Sequence, residues 1–307
     1  MKIVIAGGAG FIGSHLAEYW SYKNAEVHII DNLKTGFEGN ISHLKNVRSH
    51  KISIEDKNEI EKIISGSDYV FNMAAMVSVP ESIEKPEECI NVNLNGYLNL
   101  LEASKKNKVK KIVLSSSAAV YGDDPILPKK TEMKPEPKSP YGITKLDGEL
   151  YSKMYEEQFG LKYACLRYFN VFGPRQSTEN AYAAAVPIFI KRAVKNEDII
   201  IHGDGTQTRD FIYIDDVVKA NVLAVEKENV SGVFNVACGS SISILELAKI
   251  IIELTNSKSK IVFEKERQGD IKHSLASVEE TKEKLGFEPK INLKEGLLKT
   301  IEYFTGK

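Results

Sequence analysis

The sequence predicts an α/β fold: a doubly wound parallel sheet of Rossmann type, followed by a smaller C-terminal α/β domain. Two observations carry this reading. Short β-rich runs alternate with helical stretches through the first 168 residues, the pattern of βαβ units with helices on both sheet faces. The first run also ends in a glycine-rich turn that opens a helix.

The elements follow in order. KIVIAG (2–7) is a β-branched strand run, broken by Gly7-Gly8-Ala9-Gly10-Phe11-Ile12-Gly13, and a helix follows at about 12–23. AEVHIID (25–31) is the second strand and ends on an acid. Helical stretches at 57–65, 88–107 and 140–159 alternate with strands DYVFNMA (68–74), KKIVLSSS (110–117) and KYACLRYF (162–169). Beyond 170 the pattern loosens. FNVFGPRQSTENAYAAAVP is long, polar and marked by Gly and Pro, and such loops are usually functional or disordered. A helix (186–195), a short strand, HGDGTQTRD, a helix from Asp215 and GVFNVA (232–237) come next. The tail from about 243 reads helix, strand (KIVFEK), helix, helix. Residues 1–169 are therefore assigned to the sheet domain and 170–307 mainly to the second domain. Segments around 211–237 are expected to return to the sheet.

With 307 residues, 42% hydrophobic and 27% charged, the chain has the composition of a globular protein with ample core. A formal net charge of −1 offers no general basic field for nucleic acid, and the run KKNKVKK (105–111) reads as a solvated helix end. The three cysteines are widely spaced and give neither a disulfide framework nor a zinc pattern. The six histidines are scattered, so no metal site is assigned. No apolar run is long enough to span a bilayer, and no signal segment is recognisable. A reducing cytoplasmic location is expected.

The glycine loop has a function in prospect. Gly7 suits the tight turn, Gly10 lets backbone N–H groups approach a pyrophosphate, and Gly13 lets helix and strand pack closely. The helix N-terminus offers its positive dipole end to phosphate. Asp31, 18 residues past Gly13, is placed to grip a ribose 2′-hydroxyl and would repel a 2′-phosphate, which favours NAD over NADP.

A second constellation lies in SPYGITK (139–145). Tyr141 and Lys145 are one helical turn apart and share a face. Spacing alone is weak, because Tyr19 and Lys23 repeat it with no chemistry around them. Tyr141 differs in its setting: Ser115-Ser116-Ser117 leaves the carboxyl end of a strand, the edge where open α/β sheets bind ligands. A neighbouring ammonium and a cationic nicotinamide are expected to lower the phenol and fit Tyr141 as a base, with Ser117 holding the same substrate oxygen.

Together these motifs resemble the extended short-chain dehydrogenases/reductases and, within them, the NAD-dependent nucleotide-sugar epimerases. The likeness runs the full length. It rests on GGAGFIG, Asp31, Asp56, MAA (73–75), NVN (91–93), SSSAAVYG, SPYGITK, LRYFNVFGPRQ, GDGTQTRDFIYIDD and RQGD. The resemblance implies that Tyr141 is the base, Lys145 holds the nicotinamide ribose and Ser117 completes the catalytic set. It places the cofactor against Gly7, Gly10, Phe11, Ile12, Gly13, Asp31, Asn32, Ile54, Asp56, Ala74, Ala75 and Asn93. Asn72 departs from the histidine that many members carry there. Dehydratases and decarboxylases of the group place an acid beside the catalytic hydroxyl, whereas this chain has Ala118 and Ala119, so 4-epimerisation through a 4-keto sugar is implied. Arg209 and Arg267 match diphosphate-binding arginines and Asn170 an asparagine at the same phosphates; surface ion pairs with Asp210 and Asp270 are the plainer alternative for the arginines. Ser274, seven past Arg267, matches a gate beside the sugar C2, where a small side chain admits an N-acetyl group. UDP-GlcNAc/UDP-GalNAc, with UDP-glucose/UDP-galactose, are the expected substrates. The rivals are a UDP-glucuronate 4-epimerase, with Arg175 as carboxylate clamp, a cofactor-consuming reductase, and a non-catalytic dinucleotide sensor. The resemblance also implies a homodimer, because the family's two long helices (88–107 and 140–159) commonly pair into a four-helix bundle, although Leu94, Leu98 and Leu101 would serve a core equally well.

Overall fold

The computed structural model describes residues 1–178, 184–266 and 272–306. The chain begins with β1 (Lys2–Ala6), α1 (Phe11–Tyr22), β2 (Glu26–Ile30), β3 (Val47–His50), α2 (Lys57–Ile64) and β4 (Tyr69–Asn72). Next come α3 (Val79–Glu84), α4 (Pro86–Ile90), α5 (Gly96–Lys106), β5 (Lys111–Ser117), α6 (Pro140–Phe159) and β6 (Lys162–Tyr168). β3 and α3 add to the elements read from sequence. β3 is a short edge strand whose Arg48 and Ser49 are exposed, so it carries no continuous apolar signal.

All seven strands of the main sheet run parallel in the order β11-β6-β5-β4-β1-β2-β3, where β11 is Gly232–Val236. The direction of winding reverses between β1 and β4, which makes their carboxyl ends the ligand-binding crevice of such a sheet. Ile3, Val4 and Ile5 are wholly buried, as expected for a strand covered on both faces. α1 and α8 (Ile214–Glu226) cover one face, and α2, α5 and α6 cover the other.

The stretch expected as one helix over 88–107 is interrupted. Between α4 and α5, residues Asn91–Asn95 form a widened π turn. Asn93 is buried there, and Gly96 packs so closely that a Cβ would lie 2.6 Å from Ile54. Leu101 belongs to the core, while Leu94 and Leu98 are half-buried.

The remaining elements are β7 (Asn170–Phe172), α7 (Ala185–Val194), β8 (Ile199–His202), β9 (Thr208–Arg209) and β10 (Phe211–Tyr213) before α8, then β12 (Ile242–Ser243), α9 (Ile244–Thr255), β13 (Ile261–Glu264), α10 (Glu279–Leu285) and α11 (Leu293–Thr305). Of the segments expected to return to the sheet, β11 pairs with β6 and α8 packs on the sheet, whereas β10 pairs with β7 outside it. α7, α9 and α11 pack together around the parallel β8–β13 ribbon. Among the described residues no helix is long and apolar enough to cross a membrane.

Candidate active site

The winding reversal brings the glycine loop against the loop after β4. Gly7 turns at φ 75°, and a Cβ on it would lie 2.5 Å from the Ala74 nitrogen. Gly13 lies so close beneath that its Cβ would come within 2.1 Å of the Gly7 carbonyl. Gly10 has room: a Cβ there would meet only the Gly7 carbonyl, at 3.3 Å. It precedes α1 without a side-chain cap among the described residues, so the first-turn N–H groups at Phe11, Ile12 and Gly13 remain available to an anion.

Asp31 is buried at the floor of this loop, where its carboxylate accepts the N–H groups of Ala9 and Leu33, both at 2.9 Å. Each oxygen keeps a lone pair for a further donor such as a ribose hydroxyl. Asn32 is exposed beside it. Ile54 is buried on the same side of the sheet. Asp56 is exposed and caps α2 by accepting the Glu59 N–H at 3.2 Å. Asn72, the departure from the family pattern, turns back to accept the Ala74 N–H and shapes the Ala74-Ala75 bend. Asn93 accepts the Met76 N–H (2.7 Å) and donates to the Met76 carbonyl (3.1 Å) and the Thr144 hydroxyl (3.2 Å). Its amide is thus committed inside the chain, holding the loop after β4 against α6.

The Ser–Tyr–Lys set converges at the neighbouring strand end. Ser117, last in β5, accepts the Ala119 N–H at 3.1 Å and places its hydroxyl where it favours the ionised form of Tyr141. α6 begins with Ser139 as N-cap on Gly142 and Pro140 in its first turn, so Tyr141 projects from the first helical turn. Lys145 lies one turn on, with Nζ 2.6 Å from the Ser115 carbonyl and 5.7 Å from the centre of the Tyr141 ring. Burial lowers the Lys145 ammonium to about 8. Burial also raises the Tyr141 phenol above its usual value, outweighing the opposing influence of the Ser117 hydroxyl. The lowered phenol expected from the sequence is therefore not found in the chain itself, where desolvation dominates.

Sequence reasoning missed the buried brace behind this set. Glu149, one turn beyond Lys145, accepts the Ser116 hydroxyl and forms a two-point ion pair with Arg167 (2.9 and 2.7 Å). The i, i+4, i+8 spacing of Tyr141, Lys145 and Glu149 was the available signal.

On the substrate side, Asn170 donates to the Asp210 carbonyl at 2.9 Å. Arg209 donates to the Thr208 carbonyl at 2.9 Å. Asp210 is buried and its carboxylate faces inward, accepting the N–H groups of Cys238, Gly239 and Ala276. Ser274 donates its N–H to the Thr208 carbonyl at 3.1 Å, and Ala276, two residues on, packs with Val120 and Tyr121 behind Ser117. Ser274 thus lies on the segment linking Arg209's strand to the catalytic turn. Arg267 and Asp270 fall outside the described residues. Arg175 is held on α1 by Glu18 (2.8 Å) and Ser14 (3.4 Å).

A glycine-loop helix, a buried acid at its floor and a Tyr–Lys helix gathered at one sheet edge define a short-chain dehydrogenase/reductase-type enzyme. Comparison with known proteins narrows the class: residues 3–237 match the model of the NAD dependent epimerase/dehydratase family, and the chain belongs to that family, with NAD as its cofactor. A solved UDP-N-acetylglucosamine 4-epimerase from Methanobrevibacter ruminantium, in complex with UDP-N-acetylmuramic acid, is 41% identical with TM-score 0.96, covering 99% of this chain and 98% of its own. The Thermotoga maritima UDP-glucose 4-epimerase, solved with UDP-glucose, is 40% identical with TM-score 0.95, covering 100% and 99%. A UDP-N-acetyl-alpha-D-glucosaminuronate decarboxylase from Bacillus cytotoxicus is 36% identical over 319 aligned residues, 99% of this chain and 97% of that protein.

Proposed function

We propose that this chain is a UDP-sugar 4-epimerase, acting on UDP-GlcNAc/UDP-GalNAc and on UDP-glucose/UDP-galactose, with residues 1–169 as cofactor domain and 170–307 mainly as substrate domain. The carrying observation is the Ser117–Tyr141–Lys145 set with alanines at 118 and 119. That set moves a proton on and off an alcohol oxygen, but has no adjacent acid for the elimination or decarboxylation that other family members perform.

In this reading Tyr141 takes the proton of the sugar 4-hydroxyl and later returns it to the 4-keto oxygen. Ser117 hydrogen-bonds the same oxygen through both steps. Lys145, anchored on Ser115, keeps positive charge beside the phenol and a donor toward the cofactor ribose. The first-turn N–H groups of α1, Asp31 and the Ala74-Ala75 bend hold the cofactor. Bound NAD supplies a hydride acceptor and donor and ends each cycle unchanged. Arg209 and Arg267 hold the diphosphate, with Asn170 beside them, while the sugar turns over, and Ser274 leaves room at C2.

The glucuronate reading loses its candidate clamp, because Arg175 is occupied by Glu18 and Ser14 on α1. We further propose a homodimer: Ile143 and Leu150, two turns apart on α6, are 47% and 58% exposed, and Ile83 and Ile90 on α3 and α4 add exposed apolar surface.

The test is incubation with UDP-GlcNAc, UDP-glucose or UDP-glucuronate, no cofactor added, followed by proton NMR. Exchange at C4 of UDP-GlcNAc and UDP-glucose is expected. Exchange of UDP-glucuronate alone, or carbon dioxide release from it, refutes the substrate assignment. No exchange even with added NAD refutes catalysis and favours the sensor.

A further inference from the structure

Tyr141 is the second residue of α6, a position whose backbone N–H has no partner within the helix. The neighbouring first-turn groups are provided for locally: Pro140 has no N–H, and Ser139 accepts from Gly142 at 3.2 Å. The Tyr141 N–H is instead met from 59 residues away, by Ser82 Oγ at 3.2 Å. Ser82 is wholly buried and donates its own proton to the Val79 carbonyl at 2.7 Å, so its hydroxyl is fixed in direction. On the other side, Gly142 is wedged so closely that a Cβ would lie 2.9 Å from the Ala119 carbonyl. The first turn of α6 is therefore held between the Ser117–Ala119 turn and α3.

The segment that carries Ser82 is the one that leaves β4. At its start, Ala74 abuts Gly7 of the glycine loop; at its end, Ser82 grips the backbone of Tyr141. We infer that Ser82 is a positioning residue for Tyr141: through one hydroxyl it sets the phenol's approach to Ser117 and ties it to the loop that abuts the glycine turn. The inference rests on Tyr141 being the base. A small tilt of the first helical turn is magnified along the tyrosine side chain, and displacements of about 1 Å at a reacting group cost on the order of 100-fold in rate.

The experiment compares Ser82→Ala with Ser78→Ala in the full chain with NAD. Ser78 caps the same short helix by accepting the Glu81 N–H at 3.2 Å, so its loss loosens α3 without touching Tyr141. For Ser82→Ala, kcat for UDP-sugar epimerisation is expected to fall about 10- to 100-fold with KM within about twofold. Ser78→Ala should stay within about threefold of wild type in kcat, since a lost cap mainly affects stability. A Ser82→Ala kcat within about twofold of wild type overturns the inference, as does an equal loss in Ser78→Ala.

A second readout needs no turnover. Ultraviolet titration of tyrosinate, taken as the difference from the same protein with Tyr141→Phe, should move upward in Ser82→Ala, because a phenol loosened from its place beside Ser117 loses the hydroxyl that favours its ionised form. An unmoved titration overturns the inference even if wild type proves to epimerise nothing, an outcome that by itself sinks only the proposed function. If Ser82→Ala does not fold, Ser82→Cys keeps the volume with a weak acceptor and should show the same two changes in smaller degree.

Discussion

Burial, with a smaller contribution from Cys89, holds the Tyr141 phenol above its usual value, so a chain without cofactor is a poor base near neutrality. In the proposed function, the positive charge of oxidised nicotinamide opposes that burial. Adding NAD should shift the tyrosinate titration assigned by Tyr141→Phe to lower pH, and NADH should shift it less; equal shifts would remove the electrostatic account. Tyr141→Phe itself should lower kcat by at least about 1,000-fold while cofactor stays bound, read by turnover and by absorbance of the gel-filtered protein. Ser274 offers a separate test. If Ser274 borders C2 as proposed, Ser274→Tyr fills that space, and turnover of UDP-GlcNAc should fall at least about tenfold relative to UDP-glucose in paired assays.

At the scale of elements, the junction between α1 and the loop after β7 makes stability depend on pH. His15, Ser14 and Glu18 of α1 together grip Pro174 and Arg175, with the His15 Nε2 at 3.0 Å from the Pro174 carbonyl. Burial lowers His15 from 6.5 to about 4. The folded chain therefore keeps this ring neutral while the unfolded chain takes up a proton at 6.5, and the stability it contributes is full above pH 6.5 and is lost as pH falls towards 4. His15→Gln keeps an Nε2 donor for the Pro174 carbonyl but cannot titrate. Its stability should decline less steeply over that interval, by up to about 3 kcal/mol at the acid end, in denaturant titrations at stepped pH. The interrupted helix at 91–95 works in the same way: the widened turn turns Asn93 inward to tie the loop after β4 to α6.

For the whole molecule, the exposed apolar surface of α6 is the feature a lone chain leaves unexplained. If two copies bury it, Ile143→Lys combined with Leu150→Lys should halve the mass seen by light scattering and leave the fold intact by circular dichroism. An unchanged mass would place any dimer contact elsewhere. Neither residue belongs to the proposed catalytic set, so activity at high protein concentration should survive in part.

The alternation of strands and helices, the glycine loop, Asp31 and the Tyr–Lys pair were all legible in the sequence. These are local signals: side-chain period, turn chemistry and one-turn spacing are set by residues close together in the chain. The helix-face spacing hinted at Glu149, but the meeting of Gly7 with Ala74, the serine that holds Tyr141 and the occupation of Arg175 by Glu18 were not legible. Each joins residues far apart in sequence, and the winding order of the sheet decides which of them meet. The titration of Tyr141 belongs to the same group. Spacing placed an ammonium nearby, but only the packed structure shows that desolvation outweighs the opposing influence of the Ser117 hydroxyl, because burial is a property of the folded whole.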